Sequence, residues 1–134
     1  MDYPGQIDCV WLASDVAGQL AVMITAGEGP IPAEVLEGGY LLQIEDWILQ
    51  LRTVGQARLI ASVPNPESFV SLSERGFFVY DWTDAHRAST QRSCQYELVC
   101  SPETLLPRDA LPAALQAAVF ETDATFGAMF VSVS

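Results

Sequence analysis

Two short apolar runs joined by a tight turn constrain the fold of this chain most. Residues 9–14 read Cys-Val-Trp-Leu-Ala-Ser, and residues 19–25 read Gln-Leu-Ala-Val-Met-Ile-Thr. Between them, Asp15-Val16-Ala17-Gly18 carries turn chemistry: aspartate at the first position and a glycine free to take positive φ. Leu20, Val22 and Ile24 share one face of the second run by the two-residue period, yet Ala21 and Met23 on the opposite face are also apolar. A hairpin that is apolar on both faces is expected to be buried on both sides, or covered by a helix on one side and a partner on the other.

The rest of the chain reads as alternating elements. Gly27, Gly29, Pro30 and Pro32 break the second strand, and a short helical turn is expected from Pro32 to Glu37, ended by Gly38-Gly39. Tyr40 to Arg52 is the clearest helix, with Tyr40, Leu41, Ile44, Trp47, Ile48 and Leu51 on one stripe and Arg52 placed to suit the helix C-terminus. A short strand is expected over Arg58–Val63. A second helix follows over Pro66–Arg75, with Asn65 as its cap and Gly76 as its stop. Strands are expected at Phe77–Trp82, from Gln95 to Cys100 and at Phe126–Val133, and a short helix from Asp109 to Ala118. Thr83–Ser93 is polar and reads as a loop. The expectation is a single α+β domain over residues 1–134: an antiparallel sheet of five or six strands with two main helices on one face.

Charge bounds the function. The net charge is −11, from 17 acids and six bases, all arginine. The first basic residue is Arg52, and eight carboxylates precede it: Asp2, Asp8, Asp15, Glu28, Glu34, Glu37, Glu45 and Asp46. Such a segment repels nucleic acid and anionic lipid and attracts basic protein surfaces. The Met1–Gly5 start has neither the basic nor the apolar region of a secretory signal, and no apolar run has membrane-spanning length. A cytoplasmic location is expected.

Chemistry is sparse. Cys9, Cys94 and Cys100 have no paired spacing, and His86 is the single histidine, so neither a metal site nor a cofactor is expected. A Ser–His–acid set has only His86 as base and lacks the nucleophile elbow. Cys94 with His86 is the remaining nucleophilic pair. Gly27-Glu28-Gly29-Pro30 lacks the lysine of a phosphate loop. Arg75, Arg87 and Arg92 form either a small basic patch or pairs with neighbouring acids. No enzyme is expected from these residues.

What stands out instead is aromatic density beside acids, at Trp11, Trp47 and Tyr80-Asp81-Trp82. Aromatic anchors within a negative field suit capture of a basic protein. Asp81, Trp82 and Asp84, with Glu28 and Asp15, are the expected partner-binding residues. Two rivals are a small-ligand or catalytic pocket near the Gly27–Pro32 turn, and a homodimer paired through the apolar hairpin.

The stretch Asp8–Asp15, then Gly18–Ala21 and Thr25–Pro32, resembles the opening of small bacterial proteins of uncharacterised or immunity type, cytoplasmic antidotes of contact-dependent and type VI toxin systems. The resemblance covers the hairpin and its Pro/Gly turn and carries no functional residues. It implies an acidic plug for a basic toxin.

Overall fold

The computed structural model describes residues 8–61, 63, 65–82 and 95–132. The hairpin forms where its sequence puts it. Strands β1 (Val10–Ser14) and β2 (Leu20–Ile24) pair antiparallel, with Leu12 opposite Val22, and all ten of their residues are buried. Gly18 takes φ +81°, and the Gly18 N–H donates to the Asp15 carbonyl, which closes the turn.

Then come helices α1 (Ala33–Gly38) and α2 (Ile44–Leu49), strand β3 (Ala57–Leu59), helix α3 (Glu67–Ser73) and strands β4 (Phe78–Asp81) and β5 (Tyr96–Pro102). A 3-10 turn (Arg108–Ala110), helix α4 (Ala113–Ala118) and strands β6 (Val119–Glu121) and β7 (Phe130–Val131) complete the described chain. The strands form one sheet in the order β3-β5-β4-β2-β1-β6, and β7 pairs with β5 beyond β3.

The sheet is mixed, which corrects the antiparallel expectation: β2 runs parallel to β4, and β1 parallel to β6. A parallel neighbour needs a long crossover, and α1, α2, β3 and α3 supply it between β2 and β4. Among the described residues seven strands replace the expected five or six. The extra strand, β6, continues directly from α4 with Val119 as the helix's C-cap residue, so helical spacing hides it in the sequence.

Cover is two-sided, not confined to one face. Val10, Leu12, Leu20, Val22, Ile24, Val79 and Val99 meet Ile44 and Ile48 of α2, Leu72 of α3 and Leu115 of α4, so three helices lie on that face. Trp11, Ala13, Ala21, Met23, Phe78, Tyr80 and Tyr96 fill the other face, under Val35 of α1 and the C-terminal residues Phe126 and Val131. Such double burial explains why the central strands are apolar at every position.

The C-terminal segment from β6 to β7 acts as a strap. It leaves one edge of the sheet beside β1 and reaches the other beside β5. Polar side chains fix its main chain on the way. The Phe126 N–H donates to Asp15 Oδ2 at 2.9 Å, and Gln19 Nε2 donates to the Phe126 carbonyl at 3.3 Å. The Gly127 N–H donates to Tyr80 Oη at 3.0 Å, and that hydroxyl donates to the Ala128 carbonyl at 2.7 Å. No helix among the described residues is long and apolar enough to cross a membrane.

Candidate functional site

The acidic N-terminal stretch becomes a surface at α1 and α2. Gly39, at φ +77°, ends α1, and a turn through Tyr40–Gln43 leads into α2. The Gln43 N–H donates to the Tyr40 carbonyl and the Trp47 N–H to the Gln43 carbonyl, so the turn and helix share one winding. At 100° per residue, Leu41, Ile44 and Ile48 point to the sheet and are buried. Leu42, Glu45, Asp46 and Leu49 fall on the opposite side, at i, i+3, i+4 and i+7, and all four are exposed. Trp47 falls about 100° or more around the helix from every residue of this row, beside Tyr40, the two rings 5.6 Å apart.

Arg75 fixes the C-terminal end of α2. Its guanidinium donates to the carbonyls of Leu51 (3.0 Å), Leu49 (3.1 Å) and Ser71 (2.7 Å). Those bonds satisfy helix-end carbonyls and set a positive charge at the negative end of the dipole. The sequence assigned that place to Arg52, but the helix stops at Leu49 and Arg52 lies exposed beyond it. Arg75 is therefore committed internally rather than to a basic patch, and Arg87 and Arg92 lie outside the described residues.

The electrostatics of the row are one-signed. Partial desolvation, followed by the nearby carboxylates of Asp8 and Asp46, pushes the Glu45 carboxyl above its ordinary value. Glu34 and Glu37 add exposed charge on α1. A cavity of about 110 Å³ separates the helices, lined by Glu34, Tyr40, Ile44 and Phe120 among others.

The expected partner-binding residues fall elsewhere. Asp15 is buried and its carboxylate is saturated: it accepts from the N–H groups of Ala17 (3.0 Å), Gln19 (2.9 Å) and Phe126 (2.9 Å), and from Gln19 Nε2 (2.8 Å). Desolvation acts to raise its pKa, but the bonds from Gln19, Phe126 and Ala17 together bring it below the usual aspartate value. Asp81 and Trp82 are also buried. Trp82 stands edge-on to Tyr96 at 5.1 Å, a core contact. Exposed Glu28 lies in the adjoining turn, whose Gly29 sits against Tyr96 and Trp82. Thus Glu28, Asp81 and Trp82 come together at one end of the central strands, and Asp15 lies at the other end, roughly 15 Å away along a five-residue strand. Asp84 lies outside the described residues.

The rival sites resolve in part. The Gly27–Pro32 turn is a packed wall: Tyr96 Oη donates to the Pro30 carbonyl at 2.8 Å and accepts from Trp11 Nε1 at 3.2 Å. A cavity of about 570 Å³ lies instead along the strap, lined by residues 120–125, by Ala128 and residues 130–132, and by Gln95. Cys94 and His86 are outside the described residues. Cys9 and Cys100 are buried, and burial pushes the Cys100 thiol up to about 11. Among the described residues no group of three or more His, Cys, Asp or Glu is placed to hold a metal. Both hairpin strands have neighbours on each side, which removes the hairpin as a dimer edge. No family model, curated protein or solved structure matches this chain.

The α2 row was missed because Tyr40–Arg52 reads as a core helix. The signal was present in Leu42 and Leu49, two leucines seven apart and off the buried stripe.

Proposed function

We propose that this chain is an acidic protein-binding domain that captures a partner with a basic surface through α1 and α2. The observation that carries this reading is the outward row of α2. Two large apolar side chains flank two carboxylates there, in a segment whose first 51 residues hold no base. Partial desolvation, then the carboxylates of Asp8 and Asp46, raise the Glu45 carboxyl, and an incoming guanidinium or ammonium group offsets that repulsion. Long-range charge accelerates encounter, and the exposed apolar side chains add contact area that charge alone does not. The sharpest form of this function is a cytoplasmic immunity protein that neutralises a basic toxin. The hairpin resemblance and the acidic charge support that form.

The test is capture from a bacterial lysate on the immobilised protein, washed across a salt series, beside a Glu45→Lys, Asp46→Lys double variant. One basic protein held by the parent, weakened by salt and lost by the variant, is the expected result. Equal capture by both proteins sinks the assignment to α2.

A small-ligand site is the second reading. The cavity of about 570 Å³ along the strap favours it, being within the size range of ligand pockets. Its lining includes Glu121, Thr122, Asp123 and Gln95, more polar than most such pockets.

A further inference from the structure

We infer that the occupant of the α2 face is a basic amphipathic helix of the partner. This rests on the acidic-binder reading and narrows it to one shape. Leu42 and Leu49 are 66% and 40% exposed, with Glu45 and Asp46 one helical turn from each. Seven residues of helix rise roughly 10 Å, so the two leucines are two turns apart on one line. A partner helix with apolar residues seven apart and arginine or lysine between them repeats that spacing. Laid alongside α2, it sets leucine against apolar side chain and carboxylate against cation at once.

An extended peptide fits less well. Its side chains alternate faces, with same-face positions at steps of about 6.8 Å, so no pair meets both leucines in register. Strand addition is also closed to it here, because the face belongs to a helix whose backbone groups are bonded within the winding and to Arg75. The surroundings agree in sign. Glu34 and Glu37 on α1 and Asp8 before β1 are exposed carboxylates, and Arg75 is turned inward onto main-chain carbonyls.

The probe is a short synthetic helical peptide with leucines seven apart and two arginines between them. Its control is a scrambled peptide of the same composition. Both are titrated into the full chain at low salt and followed by fluorescence anisotropy. The matched peptide is expected to bind roughly tenfold or more tightly than the scrambled one, as burial of two partly exposed leucines implies. Leu42→Ser with Leu49→Ser should remove that preference and leave the weaker charge-driven binding of both peptides. Since both leucines are exposed, the variant should keep the parental fold, checked by its circular dichroism. Equal affinity of the two peptides for the parent overturns the helical occupant and leaves the acidic-surface reading standing. Binding of neither peptide overturns both.

Discussion

Replacing Asp15 by asparagine tests how the strap is held, and its cost follows from the geometry. The carboxylate accepts four hydrogen bonds at 2.8–3.0 Å, from the Ala17, Gln19 and Phe126 N–H groups and the Gln19 side chain. Asparagine keeps one acceptor oxygen. Aimed at Ala17 and Gln19, it turns its NH2 toward the Phe126 N–H, and two donors face each other. Turned the other way, it strands the hairpin amides. A buried N–H without an acceptor costs about 1–3 kcal/mol, and bonds to a charged acceptor contribute about 1.5–3 kcal/mol. Because the Ala17 and Gln19 sites are only part-buried, water recovers some of that loss. The expected cost of Asp15→Asn is about 2–4 kcal/mol at pH 7. The pH dependence has a definite sign. Asp15 has a lowered pKa in the folded state, so its contribution is complete above the unfolded value of about 3.9 and fades as the pH falls through the lower folded value. Asparagine does not titrate. The stability gap between parent and variant should be full at pH 6–7 and close progressively below about pH 3.9. Urea unfolding followed by tryptophan fluorescence measures it, with buried Trp11 among the reporters. A gap under about 0.5 kcal/mol at neutral pH, or one that does not change with pH, would refute the clamp.

Three further outcomes are expected. Gly29→Ala sets a Cβ 2.5 Å from Tyr96 Oη and 3.0 Å from Trp82 Cβ, so it should destabilise by about 1–3 kcal/mol; parental stability in urea would show that the turn yields freely. Tyr80→Phe removes the hydroxyl shared by Gly127 and Ala128 and should cost about 1–2 kcal/mol with faster amide exchange at Gly127. Burial pushes the parental Tyr80 phenol up to about 12, so an ultraviolet titration should lose one high-pH transition in the variant. Ser73→Ala should be neutral or stabilising by up to about 1 kcal/mol, because the buried Ser73 hydroxyl has no hydrogen-bond partner and alanine favours the helix. A loss above that size in thermal melts would reveal a bond to Ser73.

Local structure was legible wherever a periodic pattern met a stop signal. Gly39 caps α1 at positive φ, as its position promised, whereas α3 stops at Ser73 with Glu74 as its cap and Gly76 takes positive φ two residues later. The hairpin, buried on both faces, was readable from Ala21 and Met23 alone. Strand direction was not readable, because the two parallel pairings depend on where long connections return. Nothing between Thr25 and Phe77 states that β4 will lie beside β2. Helix limits failed for a different reason. Asn65 looked like a cap, but it takes φ +52° in the turn ahead of α3, and the helix begins at Glu67 with no side-chain cap bond. The competing turn geometry took the residue first.

The site was legible as a charge and misplaced as a location. Acids beside aromatics drew attention to Asp81 and Trp82, where that pairing reflects the end of a buried strand. Asp15 drew attention as an acid in a turn, yet its carboxylate is spent on four donors that bind the strap to the hairpin. In both cases burial removed the acid from the surface. The carboxylates left facing solvent on α1 and α2 have no such employment. Partial desolvation, and after it the neighbouring Asp8 and Asp46, raise the Glu45 carboxyl, and a basic partner offsets the repulsive part of that cost. Arg75, at the end of α2, is held by three main-chain carbonyls, and Arg52 lies exposed just beyond the helix. The fold thus commits Arg75 to the helix end and leaves the carboxylates of α1 and α2 facing solvent, which is the physical basis for placing the partner there.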